Sequence, residues 1–129
     1  MNAMSSQIHF IAGWLGMLLG VVSGAVIGMF FAREDWMGGY SSFRRRLTRL
    51  GHIASFGIGF LNILFAVTIP SLELSGIPGR IASGGFLLAM ATMSLCCFLT
   101  AWRKPFRHLF PIPVTGALVG ITLTLKGLL

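Results

Sequence analysis

The chain has 129 residues, the size of one domain, with 55% of them hydrophobic and 10% charged. A soluble domain carries roughly a quarter of its residues as charges, so this composition excludes an ordinary water-covered domain and makes lipid part of the solvent. The formal charge of +7 sits at the flanks of apolar runs and not in a soluble recognition module, which excludes nucleic acid as the partner.

The first apolar run covers about 8–32, long enough to cross the hydrocarbon core, which takes roughly 20 helical residues. No Lys or Arg precedes it and it exceeds the apolar stretch of a cleavable leader, so it is expected to stay in the membrane. Inside it Gly16, Gly20, Gly24 and Gly28 recur every fourth residue, with Ala12 extending the row backwards. Glycine is a poor helix former. A row of them predicts a face where another helix backbone comes close, or a flat cofactor or pore surface. Arg33 to Leu50 follows as the most polar stretch. Gly38 and Gly39 break the helix, and Ser41 or Ser42 caps the next one. Phe43, Leu47, Leu50 and Ala54 then fall at helical spacing among Arg44, Arg45, Arg46 and Arg49, which reads as an interfacial turn or two leading into the second span, about 52–69.

The second span carries a polar stripe of His52, Ser55, Gly59, Asn62 and Ala66 on one helix face. Polar groups in a membrane helix turn inward, because an unsatisfied one in hydrocarbon costs several kcal/mol. Asn62 is therefore expected to bond another helix or to touch a ligand or ion. A short turn with Gly76, Pro78 and Gly79 precedes the third span, about 81–102, which includes Cys96 and Cys97. These adjacent cysteines project about 100° apart on a helix, so they read as small buried apolar residues and not as a disulfide. A basic turn with Pro105 leads to the fourth span, about 109–128, with Pro111 and Pro113 in its first turn, where proline is tolerated. Gly116 and Gly120 form a second small-residue row there, a candidate to face the first-helix glycines.

The fold expected is thus all-α: an integral membrane four-helix up-and-down bundle occupying the whole chain as one domain. Arg33, Arg44, Arg45, Arg46, Arg49, Arg103, Lys104 and Arg107 fall in loops one and three, against Arg80 and Lys126 on the other side. That eight-to-two bias puts loops one and three in the cytoplasm and both termini outside. Trp36, Tyr40 and Trp102 fall near the same interface. The absence of a targeting segment points to a bacterial inner membrane.

Three functions are compatible with these features. The leading one is a non-enzymatic subunit or accessory protein of a membrane complex, held to other membrane helices as a homo- or hetero-oligomer through glycine-rich faces. The second is a small redox subunit. His52 and His108 begin the second and fourth spans at one predicted depth, and two such imidazoles are able to ligate a b-type haem. Arg49 and Arg107 stand beside them for propionates, with Gly51, Gly116 or the first-helix glycines giving room. The same residues suit a quinone, or anionic lipid headgroups. His9 lies at the opposite interface, outside this set. The third is an oligomeric channel or transporter. No Asp or Glu lies in a span, so the usual carboxylate proton carrier is missing. Small four-helix multidrug exporters match in size, but their membrane-embedded Glu in the first helix has glycines in its place here. Small fluoride channels also match in length, yet their glycine–arginine start and polar aromatic motif are lacking.

Overall fold

The computed structural model describes residues 3–129 apart from Glu73 and Ser75, two positions of the second loop. Four long helices account for most of the chain: α1 (Ala3–Met29), α2 (Phe43–Thr68), α3 (Ile77–Trp102) and α4 (Pro111–Leu128), and the described residues contain no strand. Each is long and apolar enough to cross a membrane. Ser42 caps α2, its hydroxyl accepting from the Arg45 amide at 3.2 Å. The cap lets the arginine-rich segment continue as the first turns of α2 without a break. Before it, Met37, Gly38 and Gly39 take φ of 57°, 88° and 97° in succession, a reversal that glycine permits at low cost. Met37 holds this unusual conformation with its carbonyl accepting from Ser42 Oγ at 2.8 Å. At the other end α2 gives way to a 3₁₀ turn, Ile69–Ser71, where Pro70 enters. Proline at the start of α3 and of α4 sits where no intrahelical donor is needed.

Short connections make successive helices antiparallel, and each packs on its neighbours in the sequence. The result is an open row, α1–α2–α3–α4, in which α1 also touches α3 while α1 and α4 form the two edges. Two crossings bring backbone against backbone. A Cβ on Gly59 of α2 would stand 2.9 Å from the Gly13 carbonyl oxygen of α1, and a Cβ on Gly85 of α3 would stand 2.5 Å from that of Gly116 of α4. Only glycine permits such an approach.

The expected facing of the two glycine rows is overturned. Gly116 lies on Gly85 and Gly120 on the Phe86 ring, both in α3, and neither meets α1. On α1, Gly16 meets Met90 and Ser55, Gly20 meets Phe56 and Gly24 meets His52, while nothing lies near Gly28. A four-residue step turns a straight helix by about 400°, so such a row drifts about 40° per step around the axis. The buried face of α1 instead follows His9, Gly13, Gly16, Gly20 and Ile27, and Gly28 has rotated away from it. Between α2 and α4 a cavity of about 160 Å³ opens beside Phe65, Phe86 and Ile121. The apolar core, Phe65, Ile69, Ala82 and Phe86, lies between α2 and α3 at that same end.

Candidate functional site

Polar chemistry in the row of helices falls into three places. The deepest is a clasp across three helices. His9 of α1 and Asn62 of α2 are both fully buried. His9 Nδ1 and Asn62 Oδ1 are 2.8 Å apart, and His9 Nε2 and Ser83 Oγ of α3 are 2.8 Å apart. The Asn62 amide nitrogen donates to the carbonyls of Ile58 at 3.0 Å and Phe86 at 3.4 Å. That leaves its oxygen as the acceptor, so the proton of the pair is on His9 Nδ1. Ser83 Oγ meets the other nitrogen, donating to Nε2 in the neutral ring, so both nitrogens are used. The Phe65 ring meets His9 edge-on at 4.7 Å. About two turns away along the α2 stripe, Ser55 donates to Gly51 at 2.9 Å and shares a 2.8 Å contact with Ser94 of α3.

The second place is His52. Its Nδ1 lies 2.8 Å from the Gly20 carbonyl oxygen, which has no proton to give, so Nδ1 donates. Ser23 Oγ donates to the same carbonyl at 3.1 Å and lies 3.3 Å from His52 Nδ1. The ring is turned into the α1–α2 seam, over Gly24. In the neutral ring this tautomer leaves the lone pair on Nε2, the arrangement in which imidazoles ligate metals. His108 is elsewhere: it lies exposed in the 3₁₀ turn Lys104–Leu109 before α4. The structure thus gives the two residues different neighbours: His52 packs on Gly20 and Gly24 of α1, and His108 stands in the turn before α4. The flanking arginines are also apart. Arg49 lies 4.3 Å over the Tyr40 ring and donates to the Tyr40 carbonyl at 3.3 Å. Arg107 lines a cavity beside Lys104. The space beside Gly51 is filled by Phe98. Among the described residues no group of three or more His, Cys, Asp or Glu converges as a metal site, and Cys96 and Cys97 are free thiols buried in α3.

The third place is a basic–aromatic cap that the sequence reading did not single out. Arg45, in the first turn of α2, is only 2% exposed. Its guanidinium donates to the carbonyls of Arg33 at 3.1 Å and Phe31 at 2.9 Å. It also lies over the rings of Tyr40 at 5.1 Å, Trp36 at 5.4 Å and Phe31 at 6.0 Å. Carbonyl dipoles and ring faces supply the electron density that offsets desolvation of the charge. Phe30 stacks on Trp36 at 5.2 Å, and the Arg33 guanidinium lies 5.4 Å from the Phe30 ring centre. The first loop is thus wound around one arginine. Arg44 donates to the Ala101 carbonyl at 3.2 Å, which ties the start of α2 to the end of α3 and puts loops one and three at the same end of the molecule.

In comparisons with known proteins the chain matches no family model, no curated protein and no solved structure.

Proposed function

We propose that this chain is a multi-pass integral membrane protein that serves as a non-enzymatic subunit or accessory protein of a membrane complex. The observation that carries the reading is the open row of helices. In α1 and α4 only 22% and 17% of the apolar stretch is buried within the chain, against 39% in each of α2 and α3. The two edge helices thus leave long apolar faces, including Trp14, Leu15, Leu18, Val114 and Leu118, for lipid or for other membrane helices. Meanwhile the clasp at His9 and the contacts of Ser55 and His52 spend inward polar groups on holding the row together. The eight basic residues gathered at one end support an orientation with loops one and three in the cytoplasm and both termini outside.

The test is extraction in mild detergent at natural abundance, followed by native mass spectrometry. A particle heavier than the 13.9 kDa chain, containing further copies or other membrane proteins, is the expected result. A chain that leaves the membrane alone overturns the subunit reading. A haem absorption band in that sample would favour the redox reading, with His52 Nε2 as one ligand, and solute flux in liposomes would favour a channel.

A further inference from the structure

At the end of the molecule that carries the basic loops, a cavity of about 340 Å³ opens between the first turns of α2, the last turns of α3 and the 3₁₀ turn before α4. Phe43, Leu47 and Phe110 give it apolar walls, and Lys104 and Arg107 stand at its rim. Lys104 Nζ lies 5.8 Å over the Phe43 ring. A second hollow of about 240 Å³ shares Phe43 and Leu47 and continues along α2 past Arg46 and Leu50. The shape is a branched apolar trough with three cations along its edge. The first volume falls in the range of small-molecule sites.

A second observation concerns a polar side chain in the wall of the first cavity. Thr100, 1% exposed, lines it, and its buried hydroxyl has no hydrogen-bond partner, alone in this among the described side chains. Helical threonines ordinarily settle this by donating to the carbonyl one turn earlier. Thr48, Thr68, Thr92, Thr115 and Thr124 all do so here. Thr100 does not, and a buried donor left unpaired is costly.

We propose that this trough is a binding site for one anionic phospholipid. Its phosphate lies against Lys104 and Arg107, the Thr100 hydroxyl, buried in the wall, reaches a phosphate or ester oxygen by a turn of its side chain, and its acyl chains follow Phe43, Leu47 and Leu50. Charge complementarity selects the occupant: an apolar trough alone takes any lipid tail, whereas clustered cations at the membrane boundary favour an anionic headgroup. The proposal rests on the membrane reading above.

The probes are dioleoyl phosphatidylglycerol and dioleoyl phosphatidylcholine, titrated onto the full chain in detergent and read by native mass spectrometry. One phosphatidylglycerol is expected to bind about tenfold more tightly than phosphatidylcholine. Lys104→Gln with Arg107→Gln removes the preference, Thr100→Val weakens phosphatidylglycerol a few-fold, and Arg80→Gln, at the opposite end, changes nothing. Equal binding of the two lipids, or a preference that survives the double substitution, overturns the proposal. Displacement of the lipid by millimolar inorganic phosphate also overturns it, by showing a free-anion site. Reconstitution into phosphatidylcholine vesicles separates the two failures. A chain that resists carbonate extraction but shows no lipid preference loses only the lipid site, and a chain that washes off loses the membrane reading as well.

Discussion

The clasp at His9 and the cap at Arg45 lie at opposite ends of the molecule and solve the same problem by different means. Each buries a polar side chain that an apolar surrounding penalises. At the clasp, neutral side chains from three helices satisfy one another, so each bond is also a tie between helices. At the cap, a permanent charge collects backbone carbonyls and aromatic faces from a single loop, so its bonds shape that loop and leave the helix row alone. Side-chain pairs far apart in sequence fix tertiary structure, whereas a charge answered by nearby carbonyls fixes local structure. The difference predicts that damage at the clasp spreads and damage at the cap stays local.

The largest effect is therefore expected at Asn62. Asn62→Leu keeps the volume roughly constant but leaves the His9 Nδ1 proton and the Phe86 carbonyl without this partner. The loss is about 1–2 kcal/mol, at the upper end of single interhelical bonds in membranes because two helices lose their tie to α2. A fall in melting temperature in detergent checks it. The double variant with His9→Leu separates a network from two independent sites. If the clasp is one unit, the second substitution adds much less than it costs alone. Full additivity would break the comparison.

Arg45→Met tests the other side of it. Methionine fills much of the arginine stem's space, so the bundle should melt within about 1 kcal/mol of the parent. The loop should nevertheless open, because the carbonyls of Phe31 and Arg33 lose both donors and the three rings lose the charge they surround. Limited trypsin digestion, expected to cleave faster after Arg33 in the variant, reads this out. Arg45→Lys should resemble Arg45→Met, since one ammonium group cannot reach two carbonyls as a planar fork does. A variant that melts far lower with an uncleaved loop would mean that Arg45 ties helices as well.

Much of this arrangement was legible in the residues. The four apolar runs, the Ser42 cap and the placement of Ser55, Gly59, Asn62 and Ala66 on one face follow from composition and period. That stripe extends further towards the start of α2. Seven residues before His52, about two helical turns, is Arg45, on the same inward face. Four arginines so close together look alike as an interfacial belt, and only the inward stripe distinguishes the one that turns in. His9 was harder to place. Its partners are 53 and 74 residues away, and single-sequence periodicity carries no information about which helices meet. The one local hint was the 4–3–4 spacing of His9, Gly13, Gly16 and Gly20, which competed with the stricter fourfold glycine row and is the spacing the helix actually buries. The partners of Gly116 were likewise set by the order of helices in the row, which no local pattern encodes.

The smallest effect, and the finest test, lies at His52 between these two ends, where the bond runs to a single carbonyl. His52→Ala loses that hydrogen bond, about 1 kcal/mol, and leaves space over Gly24. At Gly24 a Cβ would stand 2.5 Å from the His52 ring carbon Cε1, too close for the ring to keep its place. Gly24→Ala alone should therefore destabilise by about 1 kcal/mol, the low end of overpacking, with the better helix propensity of alanine offsetting part of the strain. In the His52→Ala background the obstacle is gone, and the same Gly24→Ala substitution keeps only the propensity gain, about 0.5–1 kcal/mol of stabilisation. The sign of the Gly24→Ala effect should thus reverse between the two backgrounds in paired melting experiments. An unchanged sign would mean that His52 does not hold its ring over Gly24. The imidazole would then be free to turn from α1.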